Sequence, residues 1–234
     1  MDDDVMPPRS AEGVVAADSA LIYCFADRFF APAGRLERDQ PTPLGGKRVK
    51  RTELAETLFL AAFAGLVRRG KLTITEVERK VLFVKTKRVV VAALAATESE
   101  PLSTLEYDVL KAAHAIKDPT VSGVVTAIFT KDVDDPWDEV LLFAKAGMLH
   151  SGLAHMGVEK RDGIVGKVAG DRQTFVWSAD AIAPLVDQAT AAWAAFDAWR
   201  SSEPLAAKMR SDIASAIRSR RKREERDDDG DITI

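Results

Sequence analysis

Thr52 to Val91 reads TELAETLFLAAFAGLVRRGKLTITEVERKVLFVKTKRVVV, and the order of residue types in this stretch decides the fold. Ala55, Phe59, Ala62 and Leu66 recur at three- to four-residue spacing, which stacks them on one side of a helix, and Leu58, Phe63 and Val67 widen the stripe. Such a helix is buried on most of its girth. Thr52 offers a hydroxyl for the N-cap, while Glu53 and Glu56 set negative charge against the positive end of the helix dipole. Arg68 and Arg69 fall in the last turn. Gly70 is placed to adopt the left-handed conformation that ends a helix. Leu72, Thr73, Ile74 and Thr75 then alternate as a strand, Glu76 to Lys80 read as a turn, and Val81 to Val84 as the returning strand. Val89, Val90 and Val91 continue that strand beyond Lys85, Thr86, Lys87 and Arg88.

The same grammar returns from Asp135 to about Trp177. Asp135 followed by Pro136 starts a helix, in which Leu142, Ala146, Leu149, Leu153 and Met156 follow a 4-3-4-3 spacing. Gly157 is read as its stop, Val158 to Lys160 as a strand, and Asp162-Gly163 and Gly170-Asp171 as turns before a strand at Thr174 to Trp177. The fold class expected is mostly α with small β-hairpins, as two winged-helix-like helix-Gly-hairpin modules packed in one domain. This arrangement suits binding better than chemistry.

The rest of the chain fills in around the modules. Residues 1–16 mix Asp, Pro and Gly without periodicity and read as disordered. A single mostly helical domain is expected over 17–217, with modules at about 47–96 and 102–200, and a charged disordered tail over 218–234. Asp18 to Phe30 reads as one helix stacking Leu21, Ile22, Phe25 and Phe29. Residues 31–51, with Pro32, Gly34, Pro41, Pro43, Gly45 and Gly46, read as a long loop holding a short hairpin. Ser103 and Glu106 form a capping box and Leu102 and Tyr107 a hydrophobic staple, with Leu105, Val109, Ala112 and Ile116 facing the core. Asp118-Pro119 reads as the start of a helix through Val125 to Phe129. Ser178 is read as the cap of a helix carrying Ile182, Leu185, Val186, Ala189, Trp193 and Phe196, and Pro204 as the start of the last helix.

Composition bounds the function. A chain of 234 residues with 47% hydrophobic and 29% charged side chains can bury a real core. The net charge of −3 conceals a polarity along the chain. From Lys47 to Arg88 there are twelve Lys and Arg against four Glu, a balance of 12 − 4 = +8, so the remainder carries −3 − 8 = −11. One segment is thus a candidate anion-binding surface on an acidic protein. Its residues are Lys47, Arg48, Lys50, Arg51, Arg68, Arg69 and Lys71; the alternative is a solvated charged face. Cys24, the single cysteine, sits among apolar neighbours and reads as a buried free thiol in a reducing compartment. No apolar run approaches the roughly 18 residues that span a bilayer, so a cytoplasmic protein, peripheral at a membrane, is expected.

Catalytic constellations are thin. The chain has no Gly-x-Ser-x-Gly elbow or dinucleotide fingerprint, and Gly163, Gly166 and Lys167 imitate a phosphate loop without its spacing. On one helix, His150 and His155 would point about 140° apart, which makes no metal site. Asp132, Asp134 and Asp135 form a carboxylate cluster, but Asp135 already serves as an N-cap. No enzyme activity, cofactor or metal is expected.

The run TLFLAAFAGLVRRGKLTITEVERKVLFVK (Thr57 to Lys85) resembles the core element of the Golgi phosphoprotein 3 family. There an Ala- and Leu-rich helix ends in an Arg-Gly-Arg/Lys-Leu/Ile step, here Arg69, Gly70, Lys71 and Leu72. It passes into a strand pair with an Arg-Lys-Val-Leu-like return, here Arg79, Lys80, Val81 and Leu82. LHSGLAHMGVEKRDG (Leu149 to Gly163) is similar to the end of that family's second helix. The likeness covers residues 18 to 200, with the first motif the more specific. It implies a mostly helical domain that docks on membranes through a phosphoinositide headgroup and helps to sort cargo. The chain departs from the family at the headgroup site. Phe59 stands for the lipid-binding arginine, Lys50 for the aromatic contact, and Phe143 and Ala146 for the second arginine pair, with Lys145 nearby.

Together these readings lead to a non-enzymatic peripheral membrane or adaptor protein binding anionic, phosphoinositide-like headgroups through its basic block. Phe29, Phe30 and Leu44 would supply the apolar contact beside it. Two other readings stand: a tandem winged-helix DNA-binding regulator with Lys85, Lys87 and Arg88 as its wing, and a protein-only adaptor.

Overall fold

The N-terminal apolar segment folds as two helices, α1 (Asp18–Cys24) and α2 (Ala26–Phe29), rather than the single helix expected. The break at Phe25 turns Phe29 onto Trp193 in a parallel stack, with ring centroids 4.8 Å apart, and brings Phe30 edge-on to the same ring. In this computed structural model the described residues are 18–34, 39–44, 46–81, 84–94, 104–117, 119–129, 131–159 and 172–221. The expected disorder over residues 1–16 lies outside them. The loop that follows α2 holds the expected short hairpin, β1 (Asp39–Gln40) paired with β2 (Val49–Lys50).

Helix α3 (Arg51–Arg68) begins one residue before the expected Thr52 cap, and Lys50 at the cap makes no side-chain hydrogen bond. Pairing of β2 holds Val49 and Lys50 extended up to the boundary, so helical geometry starts at the next residue. Leu54, Ala55 and every residue from Thr57 to Leu66 are buried. Gly70 has φ of 65°. Its N–H donates to Val67 O and that of Lys71 to Leu66 O, which is the double-bonded glycine stop of a Schellman motif.

Strands β3 (Leu72–Val81) and β4 (Val84–Ala93) pair antiparallel along their full lengths. The turn expected at Glu76 to Lys80 is strand instead. Its polar residues alternate on a face that has left the core: Leu72, Val89 and Val91 are buried, whereas Val77, Glu78, Lys85, Lys87 and Arg88 are exposed. The base of β4 is tied to the body through Val91 N–H to Pro119 O and a bridge from Val90 to Thr120. The five pairs from Val77↔Arg88 to Val81↔Val84 extend about 17 Å beyond it at about 3.4 Å per residue.

In helix α4 (Thr104–Ala115) Leu105, Val109 and Ala112 are buried as expected, and Ile116 packs against the core. Tyr107 is 54% exposed; Leu102 and Ser103, the other members of the expected staple and capping box, lie outside the described residues. Helix α5 (Val121–Ile128) is capped by Thr120, whose hydroxyl accepts from Gly123 N–H. The Pro119 carbonyl accepts from Val91 N–H of β4 and Thr120 is extended, so the helix starts past the expected Asp118-Pro119. Helix α6 (Pro136–His150) starts as expected, with the Asp135 carboxylate accepting from Trp137 and Asp138 N–H. Its buried stripe is Val140, Leu141, Ala144 and Met148, while Leu142 is 45% exposed. The expected phase was set by Leu153 and Met156, which lie beyond the helix end.

Gly152, with φ of 73°, ends α6, not Gly157. Gly152 N–H donates to Leu149 O and Leu153 N–H to Met148 O, the same stop as at Gly70. Gly157 instead lies within β5 (Ala154–Glu159), paired with β6 (Arg172–Trp177). A Cβ there would meet Val176 Cγ2 at 2.5 Å, so the glycine makes room for a cross-strand side chain. The turns expected between 160 and 171 lie outside the described residues.

The helix expected after Ser178 is divided into α7 (Ala179–Ile182), a 3₁₀ turn at Ala183–Leu185 and α8 (Val186–Ser202). Pro184 lacks the amide that a continuous helix needs there. Ser178 makes no side-chain cap, and Pro204 stands in a turn before α9 (Ala206–Ser219). Residues beyond 217 are in part folded: Val133 N–H donates to Arg220 O, and Val133 bridges Arg221 in parallel. The whole is a predominantly helical domain in which α1, α4, α6, α8 and α9 surround α3.

A Cβ at Gly70 or Gly152 meets nothing within 4 Å, so substitution there carries only the backbone cost of positive φ. Gly70→Ala and Gly152→Ala are each expected to lower stability by about 1 kcal/mol, read from urea midpoints at unchanged slope.

Candidate functional site

The seven basic residues singled out from the sequence do not come together. Lys47, Arg48, Lys50 and Arg51 stand at one end of α3 and Arg68, Arg69 and Lys71 at the other, about 27 Å apart at 1.5 Å per residue over 18 residues. At the first end Lys47 and Arg48 are exposed beside the exposed Leu44, and Lys50 is half-buried. Arg51 is turned inward. Its guanidinium meets Asp135 at 3.0 Å and also Asp138, so it ties the start of α3 to the start of α6. The loop bearing Lys47 lies close to α2, since a Cβ on Gly46 would run into the Asp27 carboxylate.

At the other end Arg68 pairs with Asp18 at 3.0 Å and Lys71 is buried. Arg69 approaches Glu106 at 3.8 Å, an ion pair too long for a hydrogen bond, and its Nε and Nη2 atoms are buried without a hydrogen-bond partner. Glu106 is fully buried and accepts from Ser19 Oγ at 3.2 Å and Ser19 N–H at 3.5 Å. Gly65 lets the cluster close: a Cβ there would meet Asp18 Oδ2 at 3.2 Å and Arg69 Nη2 at 3.3 Å. Burial pushes the Glu106 carboxyl up to about 7, against the pull of Arg69 and the Ser19 hydrogen bonds. Sequence reading gave Glu106 a capping role and missed this cluster, whose members α1, α3 and α4 supply.

On the β3–β4 arm, Lys85 pairs with Glu78 and Lys87 with Glu76, both at 3.0 Å. Arg88 is exposed opposite Val77. The hydrogen bond and charge of Glu76 raise the Lys87 ammonium above its ordinary value. These pairs join exposed groups and add little stability.

The positions that depart from the resembled family's headgroup site hold apolar packing. Phe59 is fully buried, and Phe143 meets Phe129 edge-on at 6.0 Å. Lys145 lies 5.8 Å from the Phe175 ring centre, and burial lowers its ammonium below the usual range. Phe29 and Phe30, expected as apolar surface contacts, are taken up by Trp193.

The remaining candidates have structural surroundings. Asp132 pairs with Arg220 at 3.2 Å, and Asp135 caps α6. His114 and the β5 residue His155 are exposed, so the two close histidines do not share a helix. Among the described residues no group of three His, Cys, Asp or Glu could hold a metal ion. Burial pushes the Cys24 thiol up to about 12, and its sulfur lies 3.6 Å from Met148 Sδ. Gly163, Gly166 and Lys167 lie outside the described residues. Among the described residues no helix is long and apolar enough to cross a membrane. No family model matches the chain, and no curated protein or solved structure matches it.

Glu106 makes stability depend on pH. Its carboxyl ionises near 4.5 when unperturbed and at about 7 in the fold, so the folded state holds the proton more tightly. Stability from this group is therefore greatest below 4.5 and falls as pH rises to about 7, by on the order of 3 kcal/mol. Urea unfolding at pH 5 and pH 8 should give a less stable wild type at pH 8, and Glu106→Gln should remove most of that difference. An unchanged difference in the variant would place the titration elsewhere.

Proposed function

We propose that this protein is a non-enzymatic adaptor that binds anionic lipid surfaces, phosphoinositide-like headgroups among them, and that the β3–β4 arm carries most of the contact. The observation behind this is the distribution of charge after folding. Arg51, Arg68 and Arg69 are matched by carboxylates from α1, α4 and α6. From Val77 to Arg88 the arm holds five basic residues and one acidic one, Glu78, and the pairs of Lys85 with Glu78 and Lys87 with Glu76 join exposed groups. Near-surface Lys and Arg each contribute about 1 kcal/mol toward an anionic leaflet, so a handful suffices for weak, salt-sensitive docking. Lys47 and Arg48, with Leu44, form a second, smaller contact. The likeness to the Golgi phosphoprotein 3 family belongs to this reading, with the arm taking the place of the family's headgroup arginines.

The helix-Gly-hairpin units also suit a winged-helix-like description, with Lys85, Lys87 and Arg88 as a wing for DNA. The burial of α3 disfavours it, because the helix preceding that wing has no free face for a major groove.

Co-sedimentation with phosphatidylcholine vesicles, with and without phosphatidylserine or phosphoinositide, tests the proposal. Binding to the anionic vesicles alone is expected. Lys85→Glu/Lys87→Glu/Arg88→Glu should weaken it at least tenfold and Lys47→Glu/Arg48→Glu by less. Equal binding to neutral vesicles, or none to either, would refute it.

A further inference from the structure

Helix α6 carries an outward stripe that folding leaves partly open. Asp138, Leu142 and Lys145 follow a 4-3 spacing and so stack on one side of the helix, away from the buried stripe of Val140, Leu141, Ala144 and Met148. Leu142 is 45% exposed, and the Asp138 side chain is 49% exposed although it reaches Arg51. Lys145 lies half-buried over the Phe175 ring and pairs with no carboxylate among the described residues.

The apolar surface continues from α6 onto the β5–β6 hairpin. Phe175 stands opposite Met156, and Val158, two residues on, shares their face of the sheet. Met156 is 46% and Val158 64% exposed. One exposed leucine needs no explanation, but three exposed large apolar side chains on two elements joined by the Lys145–Phe175 contact mark a docking surface.

Charge decides what can cover this surface. The Asp138 carboxylate on the stripe and Glu139 beside it disfavour an anionic bilayer. The stripe is instead complementary to itself. Asp138 and Lys145 lie two turns apart, about 10 Å at 1.5 Å per residue, with Leu142 between them. A second α6 turned end for end sets Lys145 opposite Asp138 twice over, and Leu142 opposite its own copy. A two-fold axis beside Leu142 gives this reciprocity, in which one patch serves both partners. Flanking charges of this kind select partner and direction when helices pair.

We infer that this chain forms a two-fold symmetric dimer in which the Asp138–Leu142–Lys145 stripes of two copies pack antiparallel, with Met156 and Val158 at the edge of the contact. The dimer stands apart from the lipid-binding reading, and neither needs the other.

Sedimentation velocity of the full chain tests it. With rising concentration the wild type should pass from 25.5 kDa to twice that mass. Leu142→Glu and Lys145→Glu should each stay at the monomer mass with helical circular dichroism unchanged. Asp138→Lys should also be monomeric alone, yet form a dimer when mixed in equal amounts with Lys145→Glu, because mixing restores both opposite-charge pairs. Asp138→Lys gives up the Arg51 contact as well, so oxidative cross-linking supplies a measurement independent of it. Cys24 is buried, and helices packed at Leu142 bring two cysteines there within the roughly 7 Å between Cα atoms that a disulfide spans. Leu142→Cys should link at least tenfold faster than Ala194→Cys, on the exposed side of α8. A wild type that stays at 25.5 kDa, a dimer indifferent to Leu142→Glu, or equal cross-linking at the two cysteines would overturn the inference. A monomer in which Leu142→Glu weakens vesicle binding would overturn it too, and would assign this face to the bilayer.

Discussion

Burial of α3 on nearly its whole circumference is the constraint from which the other features follow. A helix lined by Leu54, Leu58, Phe59, Phe63 and Leu66 cannot leave charge along its length, because burying an unpaired ion is prohibitive. Its charged residues therefore collect toward its two ends and are met there by opposite charges from other elements, Glu53 and Glu56 by Arg210. Arg51 meets Asp135 and Asp138, and Arg68 and Arg69 meet Asp18 and Glu106. Such partly buried pairs contribute modestly to net stability, but removing one partner leaves the other stranded. Their larger effect is on register, since each fixes where a neighbouring helix sits along α3.

That same constraint changes what a basic segment means. In the linear sequence the excess of Lys and Arg from Lys47 to Arg88 looks like one surface. Folding divides it between two ends of a helix and a projecting hairpin, and much of its charge is neutralised within the chain. The arm differs because its strands beyond Val89 have no core to face, which leaves Val77, Glu78, Lys85, Lys87 and Arg88 exposed. Where the resembled family would hold a headgroup, Phe59 and Phe143 complete the interior.

Local signals were legible in sequence and distant ones were not. The glycine stop after α3 and the Asp135-Pro136 start of α6 were readable because each depends on a few adjacent residues. The end of α6 was misread because Gly152 and Gly157 carry equal local weight, and only strand pairing tells them apart. That error shifted the helix phase and exposed Leu142. The turn expected at Glu76 to Lys80 failed for a related reason: polar residues on a solvated strand resemble a turn until the opposite strand is known. Glu106 was beyond reach, since Ser19, 87 residues away, and Arg69 come to it only through helix packing.

Native-state hydrogen exchange resolved along the chain tests most directly whether α3 is the buried support of the whole. The amides from Leu54 to Leu66 should be among the slowest and exchange only with global unfolding, tracking urea stability one for one. Those from Val77 to Arg88 should exchange earlier through local opening. Exchange of α3 by a sub-global opening, ahead of α6 and α9, would contradict the account, because the surrounding helices would then hold together without it.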